Sequence, residues 1–159
     1  MKTFREFLGE KGKKIASGVC LFRRNPFAVF LVHPSLFGGK GNNSYGFPKG
    51  GCDSSDLLKE GIREFEEETG ILLNHSKDLY TYLGKQETSA KVIHLYAYEG
   101  TGKEKFISSN LFTYFDKKKQ IEIELPENDS GDWFDLDTAK KVLFKNQKSF
   151  IDNFKQIIF

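Results

Sequence analysis

Four glutamates, Glu60, Glu64, Glu67 and Glu68, are spaced by four, three and one residues. On a helix that spacing gathers their carboxylates on one side. Like charges so close repel, and Arg63, four residues before Glu67, neutralises only part of the repulsion. A hard divalent cation would relieve the rest, because Mg²⁺ takes carboxylate oxygens, keeps several waters and borrows substrate phosphates as remaining ligands. A cluster of glutamates is more often just a solvated helix face. The residues before it argue otherwise here. Tyr45-Gly46-Phe47-Pro48-Lys49-Gly50-Gly51 joins a rigid turn, a cation and two glycines, so backbone can approach a ligand closely while Lys49 meets an anion.

The helix that must carry these groups is legible from its apolar stripe. Leu58, Ile62, Phe65 and Thr69 recur at helical spacing, which predicts a helix over 55–69, opening near Ser54 to Asp56 and stopping at Gly70. Upstream, 15–24 and 27–34 are apolar or β-branched runs separated by Asn25-Pro26, two strands and a turn. Segments 79–87 and 91–100 read as two further strands, 120–125 alternates like a half-buried strand, and 133–143 ends a strand and opens a helix. Phe150, Ile151, Phe154, Ile157 and Ile158 mark a C-terminal amphipathic helix. The expected fold class is α/β (α+β), a mixed sheet between helical layers, in one domain over 1–159.

Composition narrows the partners. The chain of 159 residues carries 24 Lys and Arg against 22 Asp and Glu, a net charge of +2 that fits neither a polyanion-binding coat nor an acidic tail. A small-molecule partner follows. No apolar run approaches the roughly 18 residues of a membrane span, residues 1–14 are too charged for a secretory signal, and Cys20 and Cys52 lack zinc or CxxC spacing. These features point to a cytoplasmic protein with reduced thiols. His33, His75 and His94 have no spacing that makes a metal triad, and Phe37 and Tyr96, like Tyr45, are aromatics near enough to the glycine-rich loop to stack on a base.

Arg63-Glu64-Phe65-Glu66-Glu67-Glu68-Thr69-Gly70-Ile71 resembles the second half of the Nudix hydrolase signature at every position. The resemblance runs across nearly the whole chain, to a branch of predicted nucleotide pyrophosphohydrolases, and implies an α/β/α sandwich. The first half departs from the signature: Ser55 stands where the family has a glutamate, and the loop from Gly50 is one residue shorter, so that Glu60 or Asp53 would have to take the missing acid's place. The resemblance implies Mg²⁺ or Mn²⁺ held by Glu64, Glu67, Glu68 and the Gly50 carbonyl. It casts Glu64, Glu67 and Arg63 as the catalytic set, with Arg63 pinning Glu67, and Lys49 and Tyr45 as substrate contacts. Cleavage of a pyrophosphate bond in a nucleoside or dinucleoside polyphosphate, or at an RNA 5′ end, is the expected reaction, with a metal-activated water attacking phosphorus. One late loop acid among Glu127, Asp129 and Asp132 would assist. Two other readings stand beside it: a Nudix-fold nucleotide-binding or regulatory module with impaired turnover, suggested by Ser55, and an interaction protein with an acidic helix.

Overall fold

The computed structural model describes residues 12–36 and 38–159. Its central strand, β1 (Lys14–Arg23), is buried along most of its length and feeds both sides of the molecule. Ala16, Cys20 and Phe22 face one apolar cluster, Val19 and Leu21 the other. A strand covered on both faces needs no polar alternation, which is why "IASGVCLF" reads as a continuous apolar run.

Around β1 stand β2 (Ala28–Pro34), β3 (Lys49–Gly51), β4 (Tyr80–Glu87), β5 (Lys91–Glu99) and β8 (Asn128–Asp135). The order across the sheet is β4-β5-β1-β2-β8. β1 runs parallel to β5 from Lys14 opposite Lys91 to Phe22 opposite Glu99. Its other edge is divided: β3 pairs with Ala16 to Gly18, and β2 with Phe22 and Arg23. Gly18 permits the first pairing, since a Cβ there would come within 2.6 Å of the Lys49 Cβ. The sheet is therefore mixed, as expected.

Helix α1 (Leu57–Thr69) packs on the Val19 side, with Ile62 and Phe65 buried against Leu21 and Phe30. Asp56 caps it by accepting from Lys59 N–H at 3.2 Å, and Gly70 ends it in the left-handed region at φ 74°. Close approach to β1 is allowed by Gly61, where a Cβ would stand 2.8 Å from the Ser17 hydroxyl. That hydroxyl donates to the Leu57 carbonyl, fastening the start of α1 to the central strand. On the opposite face lie α2 (Leu136–Val142) and α3 (Ser149–Ile158), whose Phe150, Ile151 and Phe154 are fully buried. The result is the layered α/β/α arrangement anticipated.

One expectation needs correction. The strand read at 120–125 exists as β7 (Ile121–Pro126), but it pairs only with β6 (Leu111–Asp116), a strand the sequence reading did not foresee. Together they form a separate two-stranded hairpin whose Leu111, Phe115 and Ile121 are exposed. Alternation here marks a twisted ribbon that is largely solvated, not a strand half-buried in the main sheet. The acidic side of α1 is not a solvated face, in line with the reading of the turn before it: Glu60 and Glu68 are buried. Among the described residues, no helix is long and apolar enough to cross a membrane. Phe37 lies outside the described residues.

Candidate active site

Arg63 is the centre of the acidic cluster. Its Nε donates to Glu60 at 2.8 Å, Nη1 to Glu67 at 3.0 Å, and Nη2 lies 3.0 Å from Glu64 Oε1. Nη2 also donates to the Gly51 carbonyl at 3.3 Å, tying the helix to the glycine turn. One planar fork thus serves three carboxylates that the helical register delivers from successive turns, a task that the point charge of a lysine could not perform. The cluster raises the already high pKa of Arg63, which stays charged throughout. Burial pushes the Glu60 carboxyl upward, but the bonds from Arg63 and Ser54 win and hold it below its ordinary value.

Glu64 and Glu68 are in the opposite situation. Burial pushes Glu64 up to about 7 against the attraction of Arg63, with repulsion from Glu67 and Glu127 adding to the rise. Glu68 is pushed up to about 8 by burial, against the opposing donors Asn128 and Lys49. Its two oxygens accept from Asn128 Nδ2 at 3.0 Å and from the Lys49 backbone N–H at 3.2 Å. Lys49 is at the cluster too: burial lowers its pKa, while Glu68, Glu64 and Glu127 favour its charge. Gly50 lies flush against the Glu64 carboxylate, which occupies the space a Cβ would need.

Of the late loop acids, the structure brings one to this cluster. Glu127 stands close enough to raise Glu64 and Glu68, and its own pKa is raised by burial and by Glu67. Asp129 instead bonds His33 at 2.8 Å, and Asp132 accepts from Trp133 N–H. Tyr45 is not brought to the cluster. Its ring packs edge-on against His33 and Phe134 on the face opposite α1, because the chain pairs there with Leu143. Its expected role as a substrate contact has no support in this placement. Glu66 is not idle either: it accepts from Leu73 N–H at 2.9 Å and from His75, holding the chain that leaves α1.

Three polar residues that the sequence reading missed hold the site in shape. Asn110 Nδ2 donates to Glu67 at 3.2 Å, and its backbone N–H donates to the Glu67 carbonyl. Asn128 is buried against Glu68. Gln147 accepts the Phe47 N–H at 2.8 Å and so anchors the Phe-Pro-Lys-Gly turn from the far end of the chain. No local pattern marks such residues, since their partners lie 43, 60 and 100 positions away.

Among the described residues no three acids, histidines or cysteines converge on a common point. The carboxylates close on Arg63 instead. The donor chemistry nevertheless fits a hard cation: Glu64, Glu67 and Glu68 offer carboxylate oxygens, and Gly50 lets backbone meet Glu64 without a side chain between.

The NUDIX domain family matches residues 12–154, nine-tenths of the chain. The chain belongs to the NUDIX family. It is accordingly a Nudix-type pyrophosphohydrolase, acting on phosphoanhydride bonds. No curated protein matches it. Among solved structures, the fold is similar to the NUDIX domain of NrtR from Shewanella oneidensis complexed with ADP ribose, at 16% identity and TM-score 0.61, covering 92% of this chain and 89% of that one. A MutT/nudix family protein from Enterococcus faecalis is 18% identical with TM-score 0.63, covering 92% of this chain and 62% of that one. An Ap4A hydrolase from C. elegans is 18% identical with TM-score 0.57, covering 90% and 97%. At these identities the likeness speaks for the fold of this Nudix chain and leaves its substrate open.

Proposed function

We propose that this chain is a divalent-metal-dependent hydrolase that cleaves a pyrophosphate bond in a nucleoside diphosphate-linked substrate. The observation that carries this reading is the packing of Glu64 against Gly50 within the Arg63 network, next to Glu67, Glu68 and Glu127. Glu64, Glu67 and Glu68 would hold Mg²⁺ or Mn²⁺, which supplies charge neutralisation at phosphate and activation of water. Arg63 orients Glu67 and Glu64, and Lys49 contributes the cation nearest a phosphate at the Gly50 turn. Glu127, the late loop acid beside the cluster, has its pKa raised by burial and by Glu67, which makes it a better proton acceptor than an ordinary surface carboxylate. The place of the missing acid at Ser55 is served by Glu60, which accepts from both Asp53 N–H and Arg63. We read 1–159 as one domain, acting in the cytoplasm, where the two free, buried thiols of Cys20 and Cys52 would stay reduced.

ADP-ribose, diadenosine tetraphosphate, triphosphorylated RNA and simple nucleotides form the test panel, the first two because solved relatives are described with them. Phosphate or nucleotide release that needs Mg²⁺ or Mn²⁺ supports the reading. Tight nucleotide binding with no release at any metal concentration would favour the binding-module alternative, whose motivation is Ser55 and the shortened loop.

A further inference from the structure

The β6–β7 hairpin is the part of the molecule that the fold does not need. It forms its own sheet, and a lone two-stranded hairpin in water is marginal. Leu111, Tyr114, Phe115 and Ile121 are 59%, 37%, 48% and 48% exposed, so its apolar side chains lack cover. Both of its roots nevertheless reach the acidic cluster. Asn110, just before β6, donates to Glu67, and Glu127, just after β7, donates its N–H to the Asn110 carbonyl at 2.7 Å. At the far end, Lys117, Lys118 and Lys119 make an exposed cationic tip.

We infer that β6 pairs, edge to edge and antiparallel, with β6 of a second copy of this chain, and that each tip thereby reaches its partner's active site. The charges choose the edge. In a two-fold antiparallel pair, facing residues have an even sum of positions, because both must present the same backbone edge. For β7, an axis through Glu122 or Glu124 sets that glutamate against its own copy, and an axis through Ile123 sets Glu122 against Glu124, so each register that pairs the middle of the strand places like charges opposite; an axis through Ile121 or Leu125 avoids this only by pairing the strand ends, where Gln120 lies in the turn and Pro126 has no N–H to give. For β6, an axis through Thr113 sets Leu111 opposite Phe115 of the partner subunit and Phe112 opposite Tyr114 of the partner subunit, which are favourable apolar pairs. Just beyond the strand this register brings Asn110 opposite Asp116 of the partner subunit, and the partner's turn, which begins at Lys117, lies beside Ser109. Ser109 accepts from Asn128, which holds Glu68. A lysine from one copy therefore arrives at the edge of the other's carboxylate cluster, where an ammonium meets a substrate phosphate. This last step rests on the hydrolase reading; the pairing itself does not.

Sedimentation velocity on the full chain over a concentration series tests the pairing. A reversible dimer is expected. Thr113→Lys, at an exposed position, sets two ammonium groups at the axis and should give a monomer with an unchanged circular dichroism spectrum. Thr113→Cys should cross-link under mild oxidation, whereas Glu122→Cys on the other strand should not; the native thiols are buried and do not compete. A wild-type chain that stays monomeric, or cross-linking through position 122 in place of 113, overturns the pairing. For the lysine, Lys117→Ala should raise KM about tenfold, the loss of one charge-assisted hydrogen bond, with little change in kcat. Mixing Lys117→Ala with Glu67→Gln subunits should give more activity than the two measured apart, since one site of the mixed dimer is complete. Strictly additive activity contradicts the contribution in trans while leaving the dimer standing. A dimeric wild type inactive on the whole panel contradicts the hydrolase reading instead.

Discussion

The two faces of the central sheet are built on different principles. Under α2 and α3, Phe22, Leu83, Phe150, Ile151 and Phe154 fill a core by shape alone, and Phe154 meets the rings of Phe22 and Phe27 at 5.0 and 5.8 Å. Under α1, apolar packing by Ile62 and Phe65 shares the helix with carboxylates that are buried, mutually repelling and held by Arg63, Asn110 and Asn128. The first face should govern stability and the second chemistry. Buried carboxylates cost free energy in the absence of a cation. That cost is the signature of a site kept ready for a ligand.

The comparison is broken most severely by Glu67→Gln, which keeps size and the Asn110 contact but removes the charge. Turnover should fall by at least about 10²-fold while the melting temperature hardly moves, as steady-state assays and thermal melts can show. Phe154→Ala should do the converse. Its cavity should cost about 3–5 kcal/mol in denaturant unfolding, with kcat/KM of the folded fraction retained.

A pH series sharpens the contrast. Glu64 and Glu68 have folded pKa values raised to about 7 and about 8, above the ordinary 4.5, so the native state binds more protons than the unfolded chain between those limits. Stability of the metal-free protein should therefore fall as pH rises from about 4.5 to 8, by on the order of a few kcal/mol. Saturating Mg²⁺ should offset the loss. Stability that is flat or rising across this window without metal would remove the argument from buried carboxylates. The smallest expected effect is that of Glu66→Gln. It keeps an acceptor for Leu73 N–H and loses only charge toward an exposed His75, so it should cost about 0.5–1 kcal/mol and leave kcat unchanged.

What the sequence made legible follows the same division. Helix α1, its cap and its stop, the paired strands on either side of Asn25-Pro26 and the C-terminal helix were all written in local periodicity. The acids and Arg63 were legible because one helix carries them at fixed spacing. The place of Tyr45 was not legible, because an aromatic beside a glycine loop carries no mark of which sheet face it will join. Asn110, Asn128 and Gln147 were invisible for a related reason: an asparagine or glutamine in a loop acquires meaning only from a partner brought close by the fold. The β6 strand escaped because its sequence, "LFTYFD", follows a long polar connection and pairs with nothing in the main sheet.

Calorimetry of Mn²⁺ or Mg²⁺ binding at pH 7, repeated in buffers of different ionisation enthalpy, tests the central claim most directly. If Glu64 and Glu68 stand ready for a cation at raised pKa, binding should release about one proton, and Glu64→Gln should weaken binding and reduce that release. Metal that binds with no proton release, or equally well after Glu64→Gln, would place the cation elsewhere and contradict the account.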